Sequence, residues 1–336
     1  MEKLLTIVVP VYNMEKYLRK CLDSLVVGSK QDLLEVIVVI DGSSDSSFDI
    51  ALTYQEKYPS SFIVVNKENG GHGSCCNIGL KMAKGKYIHF LDSDDWFDYE
   101  NFPKLIDLLS KLNVDLVQTN RVFEFDGSSR TRPCDRYREV ANRIYSADEF
   151  PYISFDRLST IHDSTYKTDT LRLSNINFTE KAPFDDTILY IKPFSTIKTI
   201  YCSNMILYHY LLGREGQSVG GINEQKVIYR KNEFMKLCAD YLSIRKYLSK
   251  NQQIYFDRFL NKEIFDEFYR CSSMLPIHLA KKYIKDWDDY ISKYPFTNIQ
   301  DIPYKRRYRN RNIYIRKAIH AIYSILRTIK HKFLKY

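Results

Sequence analysis

The chain has 336 residues, with 50 Lys and Arg against 41 Asp and Glu, and that length accommodates one large domain and a smaller one around a sizeable core. No apolar run reaches the roughly 18 residues that a membrane-spanning helix needs. The seven cysteines, at 21, 75, 76, 134, 202, 238 and 271, form no C-x-x-C pair, and Met1 leads straight into a strand. Both features point to a reduced cytosolic setting without a signal peptide or structural zinc.

The first elements alternate. Leu4 to Val9 is a continuous apolar run that predicts a buried strand ending at Pro10, and Val11-Tyr12-Asn13 turns into an amphipathic helix over Met14 to Val27. Leu34 to Ile40 predicts a second strand, and the turn Asp41-Gly42-Ser43-Ser44-Asp45 caps a helix running to about Tyr58. Ser61 to Asn66 reads as a third strand, and Asn69-Gly70-Gly71-His72-Gly73-Ser74 opens a helix over Cys75 to Lys84. A fourth strand, Lys86 to Leu91, then delivers Asp92, Ser93, Asp94 and Asp95. Continuously apolar strands alternating with helices imply a Rossmann-like, mostly parallel sheet flanked by helices, with the polar clusters along its ligand-binding edge.

Later elements are less regular. Val114 to Gln118 predicts a strand with Arg121 to Phe125 as its antiparallel neighbour, and Asp126 to Arg143 a loop or small sheet. Ala182-Pro183-Phe184-Asp185-Asp186-Thr187 opens a helix to Phe194, after which Lys198 to Cys202 and Ile206 to Tyr210 are strand-like and Gly213-Arg214-Glu215-Gly216 is a turn. Beyond Gly221 only helices are expected, over Glu224 to Ser249, Gln252 to Ser272 and Pro276 to Lys293. The domain boundaries follow as 1–220 (α/β), 221–303 (helical) and 304–336 (tail).

The tail, Tyr304 to Tyr336, holds eleven Lys or Arg and no acid, so the net charge of +9 belongs to it and the body is near neutral. Ile315, Ile319, Ile322, Leu326, Ile329 and Phe333 draw one helical stripe, with Arg316, Lys317, Arg327, Lys330, Lys332 and Lys335 off it. This basic amphipathic helix fits the headgroup region of an anionic membrane, where each basic group contributes roughly 1 kcal/mol. Docking on the protein's own body is the alternative. No nucleic-acid-binding module accompanies the charge.

Three carboxylates within four residues repel one another unless a cation sits among them, and a hard divalent ion such as Mn²⁺ or Mg²⁺ suits oxygen ligands; a solvated turn with a helix cap is the plainer reading. Gly70-Gly71-His72-Gly73 before a helix can offer backbone N–H groups to an anionic ligand, or be only a flexible capped loop.

Taken together, Ile7-Val8-Val9-Pro10-Val11-Tyr12-Asn13, Val38-Val39-Ile40-Asp41-Gly42-Ser43-Ser44-Asp45, Asn69-Gly70-Gly71 with Asn77-Ile78-Gly79-Leu80, and Phe90-Leu91-Asp92-Ser93-Asp94-Asp95 resemble the ordered signature of family 2 glycosyltransferases with the GT-A fold. The resemblance implies Asp94 as a ligand of Mn²⁺ or Mg²⁺, with Asp92 as a second metal contact or partner of the donor ribose, and Asp95 behind them. It implies a donor pocket of Pro10, Tyr12, Asn13, Asp41, Gly71 and Ser93, with Asp41 accepting a pyrimidine N3–H, although a Pro ending a strand beside an aromatic also fits plain packing; Arg214, the basic residue of a turn near the binding edge, could clamp the diphosphate. Asp186 becomes the general base with Asp185 beside it, and His162 and Asp163 face the acceptor. The implied activity is metal-dependent inverting transfer from a UDP-sugar to a glycan or lipid-linked saccharide at the inner face of a bacterial membrane; a catalytically silent scaffold subunit is the alternative, and homo-oligomerisation stays open. Two departures stand out. Ile40 occupies a position where the family usually has an acid, and Gln217-Ser218 stands where relatives often supply a metal-ligating His, for which His209 is the nearest substitute.

Overall fold

The computed structural model describes residues 2–152, 160–182, 185–217 and 222–297, so the tail expected over 304–336 lies outside the described residues. The chain divides into two compact units, residues 1–218 with 240–251, and residues 219–239 with 252–336.

In the first unit, β1 (Leu5–Val11) and β2 (Leu34–Asp41) are buried at every position, as continuous apolar runs require when helices cover both faces of a sheet. They pair in parallel, with Val8 opposite Ile37, and β3 (Phe62–Lys67) adds in parallel on the outer side of β2. On the other side β1 pairs in parallel with β4 (Tyr87–Phe90). The intervening helices are α1 (Leu18–Asp23), α2 (Ser47–Lys57) and α3 (His72–Met82). Strand β5 (Trp96–Phe97) and α4 (Asn101–Lys111) follow, then β6 (Leu116–Phe125), β7 (Thr131–Cys134), β8 (Arg143–Ser146), β9 (Ser164–Lys167), α5 (Thr168–Leu173) and β10 (Thr199–Leu212). The sheet runs β3-β2-β1-β4-β9-β6-β10-β5, with β7 on β6 and β8 on β10. Strand β9 is antiparallel to both its neighbours and joins the parallel half to β6 and β10.

Four elements of the first unit differ from their expected form. The first helix covers Leu18–Asp23 rather than Met14 to Val27. Leu25 and Val26 donate to carbonyls three residues back, and Gly28, at φ +58°, starts a separate 3-10 turn. Residues 114–118 and 121–125 belong largely to one strand, not an antiparallel pair, because the polar break between them is buried and bonded: Asn120 Oδ1 accepts the Arg136 and Tyr137 amides, and Gln118 meets Ser164 and Tyr137. The segments 198–202 and 206–210 are also one strand, interrupted by a bulge where Ser203 Oγ accepts the Met205 amide. The helix expected up to Phe194 is two 3-10 turns, Asp185–Tyr190 and Lys192–Ser195, divided near Pro193, which lacks the N–H that would continue a helix.

The helical region contains α6 (Glu224–Ile244), α7 (Lys250–Phe259), α8 (Asp266–Ser273) and α9 (Ile277–Ile291). A π-helical turn, Leu260–Phe265, interrupts what periodicity alone reads as one helix; there the buried Asn261 amide donates to the Asp257 and Phe296 carbonyls. In the second unit Trp287 is fully buried against Phe268 and Phe265, at ring-centroid distances of 4.5 and 5.7 Å. Among the described residues no helix is long and apolar enough to cross a membrane.

Helix α3 lies so close to β1 that a Cβ on Gly79 would stand 2.3 Å from Val8 Cγ1. Gly79→Ala is expected to lose about 1–3 kcal/mol of unfolding free energy in urea denaturation. A double-mutant cycle with Val8→Ala should show favourable coupling, since it removes the obstructing methyls; no coupling would contradict this packing.

Candidate active site

The fourth strand ends at a tight turn in which the Asp95 amide donates to the Asp92 carbonyl at 3.0 Å. Its three carboxylates meet different surroundings. Asp95 points inward, accepting the Tyr208 hydroxyl and the Leu211 amide, each at 2.7 Å, and so ties the turn to β10. Burial, reinforced by Asp94 and Asp92, pushes its carboxyl well above the usual range. Asp94 pairs with the Arg214 guanidinium; burial and then Asp92 raise its carboxyl, while Arg214 opposes them. Asp92 lies between two imidazoles, with His72 Nε2 and His162 Nε2 each 3.3 Å from one of its oxygens. Burial would raise it, but the hydrogen bonds and charge of His162 and His72 hold it well below the usual range. The ledge thus gathers Arg214, His72 and His162 against its acids, and two of the three carboxyls are still pushed upward.

The loop before α3 connects this ledge to two other parts of the edge. Its Gly70 and Gly71 amides each donate at 2.8 Å to the Asp41 carboxylate at the end of β2, and Lys67 Nζ joins at 2.5 Å. Burial opposes ionisation of Asp41, yet Lys67 and the two amides keep its carboxyl below the usual value. Gly71 sits at φ +84°, and a Cβ there would be 2.9 Å from the Lys181 nitrogen, so only glycine suits the position. His72 Nδ1 meets Asp185 Oδ2 at 2.9 Å while its other nitrogen reaches Asp92. Asp186 is partly buried, accepts a 3.4 Å hydrogen bond from Tyr190, and is raised by burial and by Asp185 against the pull of His162 and His72.

The structure therefore brings Asp92, Asp94, Asp95, His162, Arg214 and Asp185 into one connected cluster, with Asp186 in its field. Asp41, Asn13 and Gly71 form an adjoining group at the ends of β1 and β2. There Asn13, in the left-handed region at φ +53°, accepts the Ser44 amide at 2.8 Å and donates its own amide to Ser43 Oγ. Tyr12 next to it is 51% exposed, whereas Pro10 is buried within β1 and Ser93 is buried in the acid turn.

Asp163 is turned away from the carboxylate cluster and towards Arg121 and Arg136. It is 2% exposed, held by Arg121 at 2.8 Å and Arg136 at 3.4 Å, and it does not pair with His162, whose Nδ1 faces Arg121 instead. His209 stacks on Trp96, and its nitrogens face Glu124 and Asp98, so both ring nitrogens already have carboxylate partners. Lys67, Arg121 and Tyr208 are site-shaping residues that sequence reading did not single out. Lys67 alone has a local cue, its position directly after the strand expected to end at Asn66 on the binding edge.

The glycosyl transferase family 2 profile matches residues 6–173, half of the chain, from β1 through the acid ledge and His162 to the end of α5. Over 130 residues the chain is 38% identical to EpsH of Bacillus subtilis (strain 168), covering 39% of this chain and 37% of that one. It is 31% identical over 217 residues to a poly(ribitol-phosphate) beta-glucosyltransferase of Bacillus spizizenii, covering 63% of this chain and 33% of the relative. The match thus spans about a third of either relative's length. The crystal structure of S. aureus TarS 1-349 in complex with UDP-GlcNAc superposes with a TM-score of 0.65 at 21% identity, covering 89% of this chain and 82% of that one, a likeness of fold. With the signature motifs on one sheet edge, the GT-A arrangement of that sheet, and a profile match over half its length, the chain belongs to glycosyl transferase family 2.

Proposed function

We propose that this protein is a metal-dependent inverting glycosyltransferase that moves a sugar from a UDP-sugar to a bacterial cell-surface glycan or its lipid-linked precursor. The observation that carries the reading is the acid ledge, three carboxylates on one tight turn at the end of β4, where burial and Asp92 push Asp94 upward, and burial, Asp94 and Asp92 push Asp95 upward, despite Arg214. Such a surplus of buried negative charge fits a hard divalent cation with oxygen ligands, Mn²⁺ or Mg²⁺, held by Asp94 and Asp92. When bound, that ion would supply charge neutralisation to a leaving diphosphate. The UDP donor is supported by the fold neighbour's complex with UDP-GlcNAc, and the acceptor class by the relative named for poly(ribitol-phosphate).

The chain's own residues divide the remaining work. Arg214 carries a guanidinium to the ledge, where it can pair a diphosphate in bidentate fashion. Asp41 stands in the donor half of the edge, already satisfied by two amides and Lys67, so a uracil N3–H would share a carboxylate whose orientation is preset. Asp186 takes the proton of the acceptor hydroxyl. The oxygen's lone pair forms the bond to the anomeric carbon, and the sugar–phosphate bond breaks with its electrons leaving on UDP. A single displacement inverts the anomeric centre and requires no covalent nucleophile. The basic stretch 304–336 is assigned to contact with anionic lipid on its charge pattern.

Three outcomes test this. UDP should stabilise the wild-type chain against heat in a Mn²⁺-dependent way, and Asp94→Ala should lose that stabilisation. A UDP shift of equal size without metal, or in Asp94→Ala, would remove the metal from the account.

Because Asp186 must be ionised to act and its carboxyl is raised, kcat/KM should fall as pH drops through a value above the ordinary ~4 of a carboxylate. Asp186→Asn should lower kcat by about 10²- to 10⁴-fold with UDP binding retained, and a wild-type acid limb at or below the ordinary value would exclude this base.

Removing residues 304–336 should leave UDP binding intact while sedimentation with phosphatidylglycerol vesicles is lost, an effect that weakens in the full chain as salt rises.

A further inference from the structure

Helix α3 places His72 and Cys76 four residues apart on one face, the spacing at which two side chains can share a ligand, and Asp185 approaches from the following 3-10 turn. One ligand atom from each of the three lies within 4.8 Å of the others. The Cys76 sulfur is 3.8 Å from His72 Nδ1, and that nitrogen is 2.9 Å from Asp185 Oδ2. That sulfur is equally 3.8 Å from His72 Nε2 and so lies over the ring face; a turn of the imidazole that aims its Nδ1 lone pair at the sulfur, with a thiol movement on the order of an ångström, would bring the group to the roughly 3.4 to 3.6 Å ligand separations of a tetrahedral zinc face. A second observation points the same way. His72 Nε2 faces Asp92 Oδ1 at 3.3 Å, and a metal-ligating histidine characteristically gives its other ring N–H to a carboxylate, which orients the imidazole. Cys76 is fully buried and has no part in the proposed transfer, while His72 is about one-third exposed at its side chain and opens the group to the cleft.

We propose that His72, Cys76 and Asp185 form a second cation site, for a borderline-soft divalent ion of the zinc class, separate from the oxygen-rich Asp92–Asp94 ledge. Sulfur and imidazole select such an ion over Mg²⁺ or Mn²⁺. Binding forms one bond from the ion to each of Sγ, Nδ1 and a carboxylate oxygen; the thiol proton and the proton shared by Nδ1 and Asp185 both leave to solvent, and one position of the ion stays free of protein ligands. The filled site joins α3 to the turn bearing Asp186 and takes Asp185 from its hydrogen bond with His72. A zinc-class ion therefore inhibits transfer even when Mn²⁺ is saturating. That last consequence rests on the proposed activity, whereas the site itself does not.

Cobalt titration of the full chain tests the site without any turnover. The wild type should develop a thiolate-to-cobalt charge-transfer band that saturates at one equivalent. The band should be absent in Cys76→Ala and preserved in Cys75→Ala, whose sulfur lies against Ile37 and Val39 in the core. No band in the wild type, or one that survives in Cys76→Ala, overturns the site.

With a UDP-sugar and Mn²⁺, zinc should inhibit the wild type at least tenfold more potently than Cys76→Ala, whose basal rate is unchanged. Equal potency would remove the inhibitory consequence. If no transfer is found at all, the cobalt band still decides whether the site exists.

Discussion

Three carboxylates in four residues at the end of a buried strand set the electrostatic condition that the rest of the site answers. In low dielectric they cannot all ionise without partners, and each receives different ones. Asp95 is enclosed between the Tyr208 hydroxyl and the Leu211 amide, so β10 offsets part of its cost while burial still holds the carboxyl above its usual range. Asp94 depends on Arg214 from the turn that follows β10, and Asp92 depends on imidazoles from α3 and from the residues just before β9. The position of β10 beside β6, with its bulge near Ser203, therefore matters to chemistry as much as to packing. It sets where Tyr208 and Leu211 meet the turn.

The glycine loop before α3 performs a second task beyond presenting amides. Gly71 is left-handed, and a Cβ on Gly73 would stand 2.3 Å from the Thr179 carbonyl, so the chain passes the 179–185 segment too closely for larger residues. That approach puts His72 between Asp92 and Asp185, coupling the acid ledge to the Asp185 turn. In the same loop Gly70 and Gly71 bind Asp41. One six-residue segment thus reaches the end of β2, the end of β4 and the Asp185 turn, and a shift in it would disturb all three.

The parallel half of the sheet was legible because strands covered on both faces must be continuously apolar, and Leu5–Val11 and Leu34–Asp41 nearly are. The single strand over Leu116–Phe125 is hidden from sequence for the opposite reason. Gln118, Thr119, Asn120 and Arg121 look like a turn by composition, but each is buried, and Gln118, Asn120 and Arg121 bond to partners from other segments, including Ser164, Arg136 and Asp163. Local pattern carries no record of such partners. His162 and Asp163 illustrate the same limit, since adjacent residues reading as a pair instead face opposite ways, one to Asp92 and the other to two arginines.

By itself the sequence determined the alternation of the first four strands, the edge on which their polar ends collect, and the acid triplet at Asp92, Asp94 and Asp95. Those follow from burial periodicity and from the position of polar residues at strand ends, both local quantities. Only the tertiary structure decided which acid is buried, which is paired and which lies between imidazoles. It alone joined His72 and Cys76 to Asp185, more than a hundred residues away in the chain. The physical reason is that a carboxylate's state is set by the charges and dipoles within a few ångströms of it. Chain folding, not spacing along the sequence, brings those neighbours in.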